Sequence, residues 1–136
     1  MILCDTGVLL SMVDRRQPMH HSYRQYVLKV QDDLVTTWAC FTEVMYLSLE
    51  RGGWAMQKQI VQYVLDDLLL ICEITLSDFD RLFALMEKYQ DRPMDLADAT
   101  LVLAAEKTGI NNILTLDSDF LFYRINDQDS FSIIEV

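Results

Sequence analysis

The sequence predicts an α/β fold: a three-layer α/β/α sandwich around a mostly parallel central sheet. Two observations carry this. Short apolar runs alternate with longer segments whose apolar residues recur at helical spacing, the pattern of strands joined by crossover helices. Acidic residues also stand at the ends of the first and fourth runs, and ligands bind outside the carboxyl ends of strands in open parallel sheets. The chain has 136 residues, of which 51% are hydrophobic. That length is expected to form a single domain, residues 1–136, with a real core and little room for a second.

The first apolar run ends in Asp5 and suits a buried strand. Thr6 to Val13 reads as a short helix, broken at Arg15-Arg16-Gln17-Pro18. His20 to Val30 is a helix with Tyr23, Tyr26, Val27 and Val30 on one side. Leu34 to Thr37 is a short strand. Trp38 to Arg51 is a helix stopped by Gly52-Gly53. Trp54 to Leu65 is another, with an apolar stripe of Met56, Ile60, Val61 and Val64. Leu68 to Ile74 reads as a central strand. Ser77 then caps a helix running to about Gln90, with Phe79, Leu82, Phe83 and Met86 facing inward. After a break at Arg92-Pro93, Asp95 to Thr108 forms an Ala- and Leu-rich helix closed by Gly109. Ile113 to Leu116 and Phe131 to Val136 are the last strands. No repeat, low-complexity tract or linker interrupts this order.

Composition narrows the function classes. Cys4, Cys40 and Cys72 are too scattered for a disulfide framework, and no Cys/His cluster has zinc spacing. Cys4 and Cys72 lie in apolar runs and read as buried thiols. No basic segment precedes Met1-Ile2-Leu3-Cys4-Asp5, so no signal peptide is expected. The longest apolar stretch, Leu68 to Cys72, falls far short of the about 20 residues a membrane helix needs. A cytoplasmic protein with no membrane partner is the expectation. The net charge of −10 opposes nucleic-acid binding, since phosphate contacts favour basic chains. A cluster of metal-binding carboxylates also makes a chain acidic, so placement decides.

Asp5 ends the first strand. Glu43 sits on the first turns of the third helix. Asp95 and Asp98, three apart, project from nearly one face of their helix. Asp117 and Asp119 lie just past the fourth strand. Four to six carboxylates converging on one cleft repel one another, so their pKa values rise or a cation neutralises them. An all-oxygen site suits a hard cation, Mg²⁺ or Mn²⁺. Such a site prepares a water for in-line attack on a phosphodiester and needs no side-chain nucleophile.

Four stretches carry a resemblance. Leu3-Cys4-Asp5-Thr6, Thr42-Glu43-Val44, Met94-Asp95-Leu96-Ala97-Asp98-Ala99 and Leu114-Thr115-Leu116-Asp117-Ser118-Asp119-Phe120 resemble, in order and spacing, the acidic motifs of the PIN-domain family. Within it, the chain resembles the VapC-type toxin ribonucleases. Each motif alone is only an acid among apolar residues; the ordered set across the chain is the specific signal. The resemblance implies a metal-dependent endoribonuclease acting on RNA, with Asp5, Glu43, Asp98 and Asp117 as its acidic quartet. Asp95 matches an acidic position one turn earlier, and Thr6 and Thr115 match hydroxyl positions beside the metal. The resemblance also implies a homodimer and a small antitoxin partner, and does not separate a toxin from a stand-alone PIN protein. Gln17 departs from the pattern, standing where relatives often have an acid.

Each residue has a plainer role to weigh. Asp5 suits an N-cap, Asp95 an N-cap with Asp98 at N3, Asp117 an Asx turn, and Asp119 a cap for the turn Phe120–Tyr123. Glu43 suits an exposed helix surface. His20 and His21 diverge on a helix and read as surface residues. Arg15, Arg16, Arg24, Arg51 and Arg124 read as solvated, some lining a basic rim where RNA docks. Trp38 and Trp54 read as core or dimer residues. The alternative function is a non-catalytic or non-toxin PIN-like module binding RNA or protein, which loss of one quartet acid would signal; all four are present. Asp117-Ser118-Asp119 is a DxD, but too little chain follows it for a haloacid-dehalogenase-type phosphatase. A receiver domain groups two acids after its first strand, whereas Asp5 is followed by Thr6-Gly7.

Overall fold

The computed structural model describes residues 1–136. Five strands form one sheet: β1 (Ile2–Cys4), β2 (Leu34–Thr37), β3 (Leu69–Cys72), β4 (Asn112–Leu114) and β7 (Ser132–Ile133). Their order is β3-β2-β1-β4-β7, and every neighbouring pair is parallel. The helices are α1 (Thr6–Val13), α2 (His20–Val30), α3 (Trp38–Leu65), α4 (Phe79–Lys88) and α5 (Leu96–Thr108).

Strand residues alternate between two cores, as the two-residue period of a strand requires. Leu3, Val35 and Ile113 join α4 and α5 in a cluster of 19 buried residues. Ile2, Cys4, Leu34 and Leu114 join α1 and parts of α2 and α3 in a cluster of 13 on the other face. The expected three-layer sandwich is therefore present. Helix α5 is buried from Ala97 to Ala105, which suits its lack of a polar face.

The chain builds β1, β2 and β3 outward on one side, then crosses to lay β4 on the other side of β1. That reversal opens a crevice at the carboxyl ends of β1 and β4, where such sheets bind ligands. Asp5 directly follows β1, and Thr115 directly follows β4.

Several elements differ from expectation. β3 is an edge strand rather than a central one, and β1 holds the centre. The expected stop at Gly52-Gly53 is present all the same: Gly53, with φ of 66° and ψ of −160°, leaves the helical region for one where essentially only glycine goes, so α3 is two helical segments joined across a kink. Thr75, not Ser77, caps the turn before α4, through a capping box with Asp78. On α4, Leu82 and Leu85 face inward, whereas Phe79 and Phe83 are exposed. Two short strands, β5 (Arg124–Ile125) and β6 (Asp129–Ser130), form an antiparallel hairpin that no sequence pattern announced. Trp38 and Trp54 are exposed and belong to neither core. Cys4 and Cys40 are buried, and Cys72 only partly.

Candidate metal centre

Asp5 is set by its place between β1 and α1. Its backbone is extended, and its carboxylate accepts the Thr6 amide at 2.7 Å. The other carboxylate oxygen accepts the Thr115 hydroxyl at 2.9 Å. Thr115 Oγ1 in turn accepts the Asp117 amide at 3.0 Å. One threonine thus fixes both the orientation of Asp5 and the path of the chain into Asp117. Thr6 acts through its amide, because its hydroxyl turns away to the Cys40 carbonyl at 3.5 Å.

Asp95 and Asp98 form the reciprocal cap of α5. Asp95 Oδ1 accepts the Asp98 amide at 2.8 Å, and Asp98 Oδ2 accepts the Asp95 amide at 3.4 Å. Capping therefore accounts for the conformation of both residues. It does not account for the burial of Asp98, which is 8% exposed and has no cation beside it. A second contact, the Tyr123 hydroxyl donating to Asp98 Oδ2 at 3.4 Å, has no counterpart in any sequence pattern.

Asp117 caps the turn Ser118–Leu121 by accepting the Asp119 amide at 2.9 Å. Asp119 itself does not cap: its carboxylate lies 3.7 Å from Arg92. Glu43 is exposed on α3. With Asp95, Trp38 and Thr42 it lines an open cleft of about 470 Å³. Thr115 and Asp117 line a second, of about 380 Å³.

Electrostatics tie these positions together. Burial pushes the Asp5 carboxyl up to about 6; hydrogen bonds from Thr115 and Thr6 oppose the rise, and the charges of Asp117 and Glu43 add to it. Burial raises Asp98 to about 7, helped by Asp95, Asp5 and Asp117. Asp5 therefore stands against the charges of Asp117 and Glu43, and Asp98 against those of Asp95, Asp5 and Asp117. Arg92 is the only Lys or Arg in ion-pair contact with any of the six acids, and it meets Asp119 alone. In this arrangement no three side chains are close enough to share an ion. The donor chemistry nevertheless fits a hard cation, because every candidate donor is a carboxylate and two of them are buried without a protein counter-charge.

The histidines stand apart. His20 Nδ1 lies 2.7 Å from the Ser11 carbonyl oxygen, and His21 is exposed. An apolar pocket of about 100 Å³, lined by Met12, Val27 and Tyr63 among others, contains none of the acids.

The PIN domain family pattern matches residues 2–127. The chain belongs to the PIN domain family. It is 25% identical over 116 residues to Ribonuclease VapC26 of Mycobacterium tuberculosis, covering 85% of this chain and 86% of that protein. Its fold is similar to the crystal structure of Mycobacterium tuberculosis VapC20, described as a sarcin-ricin loop cleaving toxin. The TM-score is 0.80 at 18% identity, over 88% of this chain and 92% of that one. The likeness to VapC20 establishes the fold, and the PIN match covers all four acidic stretches. No helix is long and apolar enough to cross a membrane.

Proposed function

We propose that this PIN domain is a Mg²⁺- or Mn²⁺-dependent endoribonuclease, acting in the cytoplasm as the toxin of a type II toxin–antitoxin pair. The observation that carries this is the pair of buried carboxylates, Asp5 and Asp98, held at the sheet's switch point beside Asp117 and Glu43 with no protein cation among the four. Similarity to VapC26, named a ribonuclease, supports the substrate class.

Asp5, Glu43, Asp98 and Asp117 would hold the ion, with Asp95 and Asp119 as flanking carboxylates. When bound, the ion acidifies a water and takes up charge on the phosphodiester. The remaining work belongs to the protein. Thr115 locks one oxygen of Asp5 by hydrogen bonding, and the Thr6 amide holds the other. Tyr123 and the Asp95 amide restrict Asp98 in the same way. These contacts set the carboxylates in place before RNA arrives, so little reorganisation remains for the reaction.

In this reading residues 1–136 act as one domain and pair as a symmetric dimer. Exposed Trp38, Tyr46, Leu49 and Trp54 on α3 offer an apolar face for it. The antitoxin would present an arginine to the carboxylates. The deciding experiment is cleavage of total RNA with and without added Mg²⁺ or Mn²⁺. Chelation should abolish cleavage and either ion restore it, whereas full activity in excess chelator sinks the reading.

A further inference from the structure

The acidic centre raises a problem that its own residues do not solve. A phosphodiester must approach a cluster of carboxylates on a chain of net charge −10, and a bound ion offsets only part of that repulsion. Arg92 is the one arginine or lysine in ion-pair contact with the acidic set. It stands three residues before the Asp95 cap of α5. Its guanidinium carbon sits 3.4 Å from the centroid of the Phe122 ring. Phe122 in turn precedes Tyr123, whose hydroxyl reaches Asp98. The stacked pair is thus tied to the centre from two directions. Neither partner is buried: the Arg92 side chain is 38% exposed and Phe122 is 47% exposed. Leu116 and Leu121, also exposed, line the open cleft beside Asp117.

We propose that Arg92 and Phe122 form a seat for one unpaired nucleotide of an RNA strand at the rim of the acidic cleft. The inference rests on the ribonuclease reading above. Its chemistry follows from the pair. Unpaired bases stack on aromatic rings and on arginine planes, whatever their identity. A guanidinium spread over a ring is fixed in orientation and still offers N–H donors to a phosphate. Asp119 pairs with Arg92 at 3.7 Å and donates its own amide to Asp117 at 2.9 Å, so one residue links the arginine to the acidic centre. Stacking requires both planar partners, whereas a merely charged rim would need Arg92 alone.

The test compares Arg92→Gln, Arg92→Lys and Phe122→Leu with Lys58→Gln, an exposed cation on α3, as the charge-matched control. Binding of a fluorescent single-stranded RNA is measured in an Asp98→Asn background so that the strand stays intact. Kinetics are measured on the wild-type background with Mn²⁺, and melting temperatures report folding. Arg92→Gln should raise KM at least tenfold with kcat changed little, and reduce the slope of log Kd against log salt by about 0.7. Phe122→Leu should weaken binding roughly tenfold while keeping the wild-type slope. Arg92→Lys should keep the slope and share the affinity loss. Lys58→Gln should match the parent. The seat is overturned if Arg92→Gln and Phe122→Leu bind and cleave like the parent. It is also overturned if Arg92→Gln lowers kcat alone, or if affinity is lost only in parallel with melting temperature. If the Asp98→Asn protein binds RNA through this pair yet the wild type cleaves none with either ion, the ribonuclease reading alone is overturned. If the Asp98→Asn protein does not bind and the wild type does not cleave, both are overturned.

Discussion

Helix α1 carries a buried aspartate at each end, and the chain treats the two in opposite ways. Asp5 is the N-cap and Asp14 the C-cap. The helix dipole favours a negative charge at the first position and disfavours it at the second. The dipole alone would therefore make Asp5 the stronger acid, but the order is the reverse. Burial raises the Asp14 carboxyl, yet hydrogen bonds from Arg16 and Gln17, with the charge of Arg16, bring it below its usual range. Arg51 adds a contact at 3.7 Å, and Arg16 also donates to the Arg51 carbonyl at 2.8 Å. That network ties the end of α1 to α3 just before its bend at Gly53. Asp5 is met instead by Asp117 and Glu43, and its carboxyl rises to about 6. A buried charge needs a counter-charge. At one end of α1 the protein supplies it, and the result is structural; at the other the protein supplies more negative charge, which suits a site for a cation.

The sharpest way to break this comparison is to make the same substitution at both ends. Asp5→Asn should lower RNA cleavage by at least about a hundredfold, the scale at which losing a group aligned for transition-state charge is felt. Asp98→Asn should behave alike. Asp14→Asn should leave cleavage within a few-fold of wild type and cost about 2 kcal/mol of stability, the scale of a hydrogen bond to a charged group. Cleavage assays and denaturant midpoints on the purified variants check both halves. If Asp14→Asn abolished cleavage in a protein that stayed folded, the division between structural and functional end would be wrong.

A smaller effect is expected from the residue that orients Asp5. Thr115→Val removes the hydroxyl shared between Asp5 and the Asp117 amide and keeps its volume. Partners that position metal ligands are typically worth about 10- to 100-fold in metal affinity or activity. The loss should be partly recovered by raising Mn²⁺, because the carboxylates themselves remain. Thr6→Val is the matched control: the Thr6 hydroxyl faces Cys40, and its amide contact to Asp5 survives the change. Equal losses in the two variants would show that Thr115 has no special role.

How much of this was legible depended on what kind of signal each residue left. Asp5 and Asp98 stood out because a carboxylate among Ile, Leu and Ala is costly unless it has a purpose. The structure buries both. The order of the sheet was not legible, since an apolar run such as Leu68 to Ile74 reads the same at the edge as at the centre. On α4 the spacing of Phe79 and Phe83 is as helical as that of Leu82, Leu85 and Met86, and only packing against α5 leaves the two phenylalanines outside while the other three pack inward. The β5–β6 hairpin was hidden for another reason. Its strands have two residues each, and Asn126 and Asp127 take positive φ without the glycine that usually marks such a turn. Tyr123 and Arg92 left no signal, because a lone aromatic or arginine in a loop carries no spacing to read.

The smallest expected effect concerns stability against pH in the chelated protein, where the two ends of α1 should again oppose each other. In the folded state Asp5 and Asp98 sit near 6 and 7, above an ordinary aspartate near 3.9 in the unfolded chain. Between about pH 4 and 7 the folded protein therefore holds protons that the unfolded chain has released. Stability then falls as pH rises, because its slope follows the unfolded minus the folded proton count. The contribution of this pair is fully present below about pH 4 and lost on rising through 6 to 7. Asp14 has the opposite sign: its contribution is present above the ordinary aspartate range and lost as pH falls below it. Asp98→Asn cannot titrate, so the fall between pH 5 and 7.5 should shrink, and at pH 7.5 the variant should equal wild type or exceed it by roughly 0.5–2 kcal/mol. Mn²⁺ should reverse that ranking, since an ion bound to the native state adds about 2.7 kcal/mol at a hundredfold excess over Kd and the variant binds it less well. Denaturant midpoints at the two pH values, with chelator and with Mn²⁺, give all four comparisons. A wild type equally stable at pH 5 and 7.5 in chelator, and indifferent to Mn²⁺, would show that the acids at the head of α1 are not held against their own repulsion.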